Sequence, residues 1–134
     1  SNLMRYKKQL ATIDTQDALI GNRAYDLASL IDDVRFKSNK NLKDNIYNYY
    51  LKLSKNKINK VILLNDFEIL SVIRNMKIIG IFARLAARDK KKTYLKLIPH
   101  AWKLIELRTQ NNQIFDGLKR VLDINFPKKI RNLK

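Results

Sequence analysis

Three aspartates near the N-terminal end have the types and spacing to do chemistry. Asp14 and Asp17 lie within Ile13-Asp14-Thr15-Gln16-Asp17, and Asp26 within Tyr25-Asp26-Leu27-Ala28. Asp14 closes a β-prone run, so its carboxylate sits where a strand end can project it into a cleft. A hard cation such as Mg²⁺ takes carboxylate oxygens and keeps room for phosphate oxygens. Asp17 would lie beside the same cleft. Turn chemistry accounts for the same residues, because Asp also stabilises turns by bonding local amides. For Asp14 and Asp17 the residues alone leave both readings open. Asp26 opens an apolar helix, where free N–H groups and the helix dipole favour a carboxylate.

Most other chemistries lack their residues. The chain has no cysteine and a single histidine, His100, which removes thiolate sites and leaves little from which to build a zinc centre or a Ser-His-Asp triad. No glycine-rich phosphate loop is present. His100 reads as a surface or packing residue. Tyr47, Tyr49 and Tyr50 could stack nucleic-acid bases, but two of them fit a helix stripe, and Trp102 and Tyr94 are also explained by packing. The net charge of +16, from 28 Lys and Arg against 12 Asp and Glu, would suit a polyanion through counterion release. The lysines are scattered through every segment, however, and form a run only at Lys90-Lys91-Lys92, which favours a solvated basic surface. Nucleic acid is therefore the alternative partner, in the form of a basic helical binding module.

The elements that must position the aspartates follow from periodicity. At 134 residues and 46% hydrophobic content the chain fits one domain with a packed core. The pattern predicts a β-hairpin over 1–14, with Leu3, Met4 and Tyr6 on one arm, a Lys7-Lys8-Gln9 turn, and a return strand carrying Ile13 inward. A helical region over 22–126 follows. Its first helix runs from Ala24 to about Phe36 on Leu27, Leu30, Ile31 and Val34. The second carries Leu42, Ile46, Tyr49, Tyr50 and Leu53 on one stripe. Asn65-Asp66-Phe67-Glu68 resembles a capping box opening a long helix to Arg88, apolar on most sides and hence central and buried, with close packing at Gly80. A helix over Tyr94–Leu107 should break or kink at Pro99. The last helix, about Asn112 to Ile124, buries Phe115, Leu118, Val121 and Leu122, and Pro127 stops it before a basic tail. The longest apolar run, Ile78 to Ala83, is too short to span a bilayer. A cytoplasmic protein with no membrane association is expected.

Residues 10–35, from Leu10-Ala11-Thr12-Ile13-Asp14 through Ile31-Asp32-Asp33-Val34-Arg35, resemble the segment after the catalytic loop of the aminoglycoside phosphotransferase family. Ile73-Arg74-Asn75-Met76-Lys77-Ile78-Ile79-Gly80-Ile81-Phe82-Ala83-Arg84-Leu85, then Arg88-Asp89, Tyr94-Leu95 and Ile98-Pro99-His100-Ala101-Trp102, are similar to its cell-wall-recycling branch. Those kinases phosphorylate N-acetylmuramate and N-acetylglucosamine at the anomeric hydroxyl. The resemblance implies a mainly α chain, the helical C-terminal lobe of a protein-kinase-like fold with an N-terminal hairpin, as one domain over 1–134. It implies ATP and Mg²⁺ as cofactors and a small sugar acceptor. Asp14 would match the metal-binding Asp that follows the catalytic loop and would face the ATP β- and γ-phosphates. Asn2 would match the Asn at the second metal position. Asp17 and Gln16 would face the acceptor substrate, and Asp26 would hold the catalytic loop structurally. Thr15 stands where relatives carry a bulky aromatic, and Asn22-Arg23 replaces a turn that often contains proline; neither removes a ligand. The catalytic His-x-Asp and the ATP-gripping N-terminal lobe fall outside this sequence. By the same resemblance the chain alone is expected to be inactive, to expose apolar surface where the missing lobe packs, and to self-associate. A related choline or aminoglycoside kinase would share the metal site and differ in acceptor.

Overall fold

The computed structural model describes residues 3–13, 20–54 and 57–132. It is mainly helical and begins with a two-stranded antiparallel hairpin. β1 (Leu3–Tyr6) pairs with β2 (Gln9–Thr12), with Tyr6 opposite Gln9. The loop is therefore the two residues Lys7-Lys8, with Gln9 already in the ladder. Lys7 takes φ 55°, the left-handed backbone that matches a two-residue loop to the strand twist. β2 ends at Thr12 rather than Asp14, and Ile13 is 46% exposed instead of inward. Met4, Tyr6 and Leu10 are exposed as well. Strand alternation selects a buried face only when a second layer covers it, and no such layer covers this hairpin among the described residues.

α1 (Ala24–Ile31) begins where the Asn22 side chain accepts from Ala24 N–H at 2.9 Å and donates to Asp66 at 2.7 Å. It stops at Ile31, short of the expected Phe36. Asp32 turns its carboxylate into the interior, and Asp33 bonds the Arg35 amide and guanidinium. Such local side-chain bonds compete with helix continuation. Val34 is buried as predicted, but from this turn.

α2 (Lys40–Leu53) is capped by Asn39, which accepts from Leu42 N–H at 2.8 Å. Its buried side carries Lys43, Ile46, Tyr47, Tyr50 and Leu51, whereas Leu42, Tyr49 and Leu53 are exposed. Apolar residues surround this helix on several sides, so periodicity alone misplaces the stripe. The ion pair of Lys43 with Asp32 fixes the rotation.

α3 (Lys60–Arg88) starts a turn and a half earlier than the expected capping box. Asn59 caps it, accepting from Val61 and Ile62 N–H groups. Glu68, the supposed capping partner, instead accepts from Asn112 at 2.7 Å. α3 contributes to all three core clusters: against α1 through Leu63 and Phe67, against later helices through Val72, and at its far end through Phe82. It is central but not enveloped, since Ile62, Ile73 and Met76 face solvent. Gly80 is exposed, and a Cβ there would meet nothing within 4 Å, so the expected close packing is absent.

A 3-10 stretch, Lys92–Leu97, leads into α4 (Ile98–Thr109). The expected break is a change of helix type, and Pro99 sits in the first turn of α4, where a missing N–H leaves no bond unmade. Asn112 caps a second short 3-10 turn, Gln113–Phe115, which continues as α5 (Asp116–Asn125). Phe115 and Leu122 are buried there, but Val121 is exposed. The basic tail after Pro127 forms α6 (Lys128–Arg131). Its Arg131 folds back onto the Trp102 ring at 5.1 Å and pairs with Glu106 and Asp123. Trp102 is thus a packing residue, as expected. Among the described residues no helix is long and apolar enough to cross a membrane.

Candidate functional site

Two adjoining concavities lie between the start of α1 and the approach to α3. One hollow, of about 370 Å³, is walled by Gly21, Asn22 and Arg23 on one side and by Lys57 to Asn59 and Asp66 on the other. A second, of about 410 Å³, shares Arg23, Lys57 and Ile58 and adds Tyr50, Leu53 and Ser54 from the end of α2. Asn22 sets the shape of this groove. Its amide holds the first turn of α1 and reaches across to Asp66 on α3. The groove presents amide, carboxylate and cationic groups beside an aromatic ring, a set suited to a polyhydroxylated ligand.

Of the residues singled out by sequence, Asn2, Asp14, Gln16 and Asp17 lie outside the described residues. The described chain resumes at Ile20, and Gly21 lines the first hollow. Asp26 is exposed in the first turn of α1. No three His, Cys, Asp or Glu side chains among the described residues gather as a metal-binding group. Tyr47 packs edge-on against Phe67, with ring centroids 5.4 Å apart. Its hydroxyl is buried without a partner among the described residues. Burial, and then the charge of Glu68, raise its pKa, which keeps it protonated. Tyr50 also packs into the core, and Tyr49 alone of the three is exposed.

The feature that sequence reasoning missed is Asp32. Its carboxylate is 0% exposed and accepts four bonds: from Lys43 Nζ at 2.6 Å, Ser71 Oγ at 2.6 Å, Arg108 Nε at 2.8 Å and Arg108 Nη2 at 3.1 Å. Lys43 also donates to the Ile31 carbonyl at 2.9 Å, and Asn75 donates to the Ser71 carbonyl at 2.8 Å. The Arg108 guanidinium lies over the Phe67 ring at 4.7 Å. Burial by itself would raise the Asp32 pKa. The hydrogen bond and charge of Arg108, then the bonds from Lys43 and Ser71, outweigh it and hold the carboxyl below its usual range. Both oxygens are saturated, so this cluster joins α1, α2, α3 and α4 and is not available as an acid or base. A signal was present. Asp32 continues the buried 24–28 spacing of α1, and Ser71 and Asn75 place polar groups four apart on an otherwise apolar face.

His100 is half-buried at the start of α4, and its Nε2 has no partner among the described residues. Desolvation, then the charges of Lys43 and Lys37, lower its pKa below 6.5, against a weaker opposing bond with the Phe36 backbone. The folded state therefore binds fewer protons than the unfolded chain near that pH. The contribution of His100 is fully present above about pH 6.5 and is lost as pH falls through its lower folded value. Urea midpoints measured from pH 8 to 5 are expected to show this decline, and His100→Leu to flatten it. An unchanged slope in the variant would assign the decline to other groups.

No known protein-family signature matches this chain. Curated proteins named N-acetylmuramate/N-acetylglucosamine kinase do. The protein from Neisseria meningitidis is 34% identical over 103 residues, covering 73% of this chain and 31% of its own length. That from Pseudomonas aeruginosa is 32% identical over 111 residues, covering 78% and 32%. That from Caulobacter vibrioides is 28% identical over 99 residues, covering 74% and 27%. The chain is thus related to amino-sugar kinases and spans about a third or less of the length of the curated relatives it matches.

Proposed function

We propose that this chain is the metal-holding, acceptor-facing part of an ATP-dependent amino-sugar kinase of the aminoglycoside phosphotransferase family. The single observation that carries the reading is that three relatives bearing one kinase name each match about three-quarters of the chain. The site chemistry agrees with it. Asp14 and Asn2 offer side-chain oxygens, the donors that Mg²⁺ accepts. When bound, the metal neutralises phosphate charge during transfer. Gln16 and Asp17 face the acceptor, and Asp26 steadies the backbone of the catalytic loop from the first turn of α1. The groove, lined by Gly21, Asn22 and Arg23 on one wall, offers the acceptor a concave surface. The reading entails a cytoplasmic location, where ATP is supplied, and no nucleic-acid partner.

The whole reaction needs a catalytic base and a lobe that grips ATP, so the chain alone is expected to transfer no phosphate. The test is a chimaera in which this chain replaces the matching third of the Neisseria relative. ATP- and Mg²⁺-dependent phosphorylation of N-acetylmuramate and N-acetylglucosamine is the expected result. Phosphorylation of choline or an aminoglycoside instead would move the assignment within the family. Transfer to none of these acceptors by a folded chimaera would overturn it.

A further inference from the structure

We infer that the groove between α1 and α3 is the acceptor site, and that Arg23 and Lys57 make it select an amino sugar carrying a carboxylate. The inference rests on the kinase reading above and adds the determinant of acceptor choice. The two hollows of the groove share three residues, Arg23, Lys57 and Ile58. Two cationic residues therefore border both hollows, one from each wall. Neither is in an ion pair with any carboxylate among the described residues. The acid in the groove, Asp66, is engaged by Asn22 at 2.7 Å and sits in the first hollow only. A carboxylate at the junction would thus meet Arg23 in a bidentate geometry and Lys57 as a point charge, the strongest class of hydrogen bond available there.

The remaining lining suits the rest of such a molecule. Asn22, Asn59 and Asp66 offer donors and acceptors for sugar hydroxyls, and Tyr50 with Ile58 offers an apolar surface for the C–H face of a pyranose. N-acetylmuramate differs from N-acetylglucosamine by a lactyl ether bearing a carboxylate. A groove built this way admits both sugars and holds the acidic one more tightly.

The test is a titration of the ¹⁵N-labelled chain with each sugar at low salt. Amides of Gly21, Asn22, Ile58 and Asn59 are expected to shift with N-acetylmuramate, at an affinity about tenfold or more above that for N-acetylglucosamine. Arg23→Gln combined with Lys57→Gln should bring the acidic sugar down to the affinity of the neutral one, with the unfolding transition unmoved. Equal affinity for both sugars, shifts elsewhere, no shifts by about 10 mM sugar, or a preference that survives the substitutions would each overturn the inference. The two readings fail separately. Selective binding without phosphorylation by the chimaera would remove the kinase and leave the groove. Phosphorylation whose acceptor preference ignores both substitutions would remove the groove's role and leave the kinase.

Discussion

Asp32→Ala is expected to lower the unfolding free energy by about 3–5 kcal/mol, the cost of leaving buried charge without its partner. Against a typical total of about 5–15 kcal/mol, that loss takes the protein close to its unfolding threshold. The reason is stoichiometric. Lys43 and Arg108 both turn their charge toward this one carboxylate, and both are buried or nearly so. Removing Asp32 leaves two cations and the Ser71 hydroxyl facing an empty acceptor. Ser71→Ala, which removes one neutral donor from the same cluster, should cost about 1 kcal/mol. Replacing the whole cluster with apolar side chains, Asp32→Leu with Lys43→Met and Arg108→Met, should recover most of the loss, because desolvated ions are then absent altogether. Urea unfolding at pH 7 measures all three. A triple variant as unstable as Asp32→Ala would show that packing, not charge, is what the cluster supplies. The pH dependence carries the same signature. The folded-state pKa of Asp32 lies below its ordinary value of 3.8, so its contribution is present above that pH and is lost as pH falls through the lower folded value. The wild type should show this acid limb, and Asp32→Ala should lack it.

The same cluster shows how far the fold can be read from sequence. Helices were legible where one apolar face outweighed the rest, as in α1 with Leu27 and Ile31, although Leu30 of the same expected stripe is exposed. They were misread where apolar residues surround the axis. In α2 the periodicity favours Tyr49 and Leu53, but burial of Lys43 turns Tyr47 and Leu51 inward instead. In α3 the Asn65–Glu68 pattern has the form of a cap, yet Asn59 also has a cap residue's chemistry and lies at the actual boundary. Only a long-range partner decides between them, and Glu68 spends its carboxylate on Asn112, 44 residues away. The helix end at Ile31 depends likewise on Asp32 meeting Ser71 and Arg108, which lie 39 and 76 residues along the chain. Local pattern cannot register contacts at such separations. The candidate site is legible in a different way. Residue types around Asp14 suggested metal chemistry, whereas the groove arises from Asn22 bonding across to Asp66, a pairing with no sequence signature.

In the active chimaera, Asp14→Ala is expected to reduce phosphate transfer about a thousandfold or more. Stabilisation of developing charge by a bound metal is worth several kcal/mol, and each 1.36 kcal/mol is tenfold in rate. If Asp14 holds the metal as proposed, loss of its carboxylate would remove an anionic ligand of the cation, so raising Mg²⁺ should restore activity only in part. Asp17→Ala separates the metal role from the acceptor role of the same segment. An acceptor-facing group binds substrate more than it stabilises the transition state, so its loss should appear mainly as a raised KM for the sugar, with kcat changed much less. Gln16→Ala should follow Asp17. The discriminating measurement is therefore a steady-state series in both sugar and Mg²⁺ for Asp14→Ala and Asp17→Ala. Turnover unchanged in Asp14→Ala, at ordinary Mg²⁺, would strip the metal role from this residue while leaving amino-sugar transfer by the parent chimaera intact. It would return Asp14 to the turn chemistry that its sequence neighbourhood equally allows. A kcat loss in Asp14→Ala, set against a KM change in Asp17→Ala, would assign the metal to one end of a four-residue segment and the acceptor to the other.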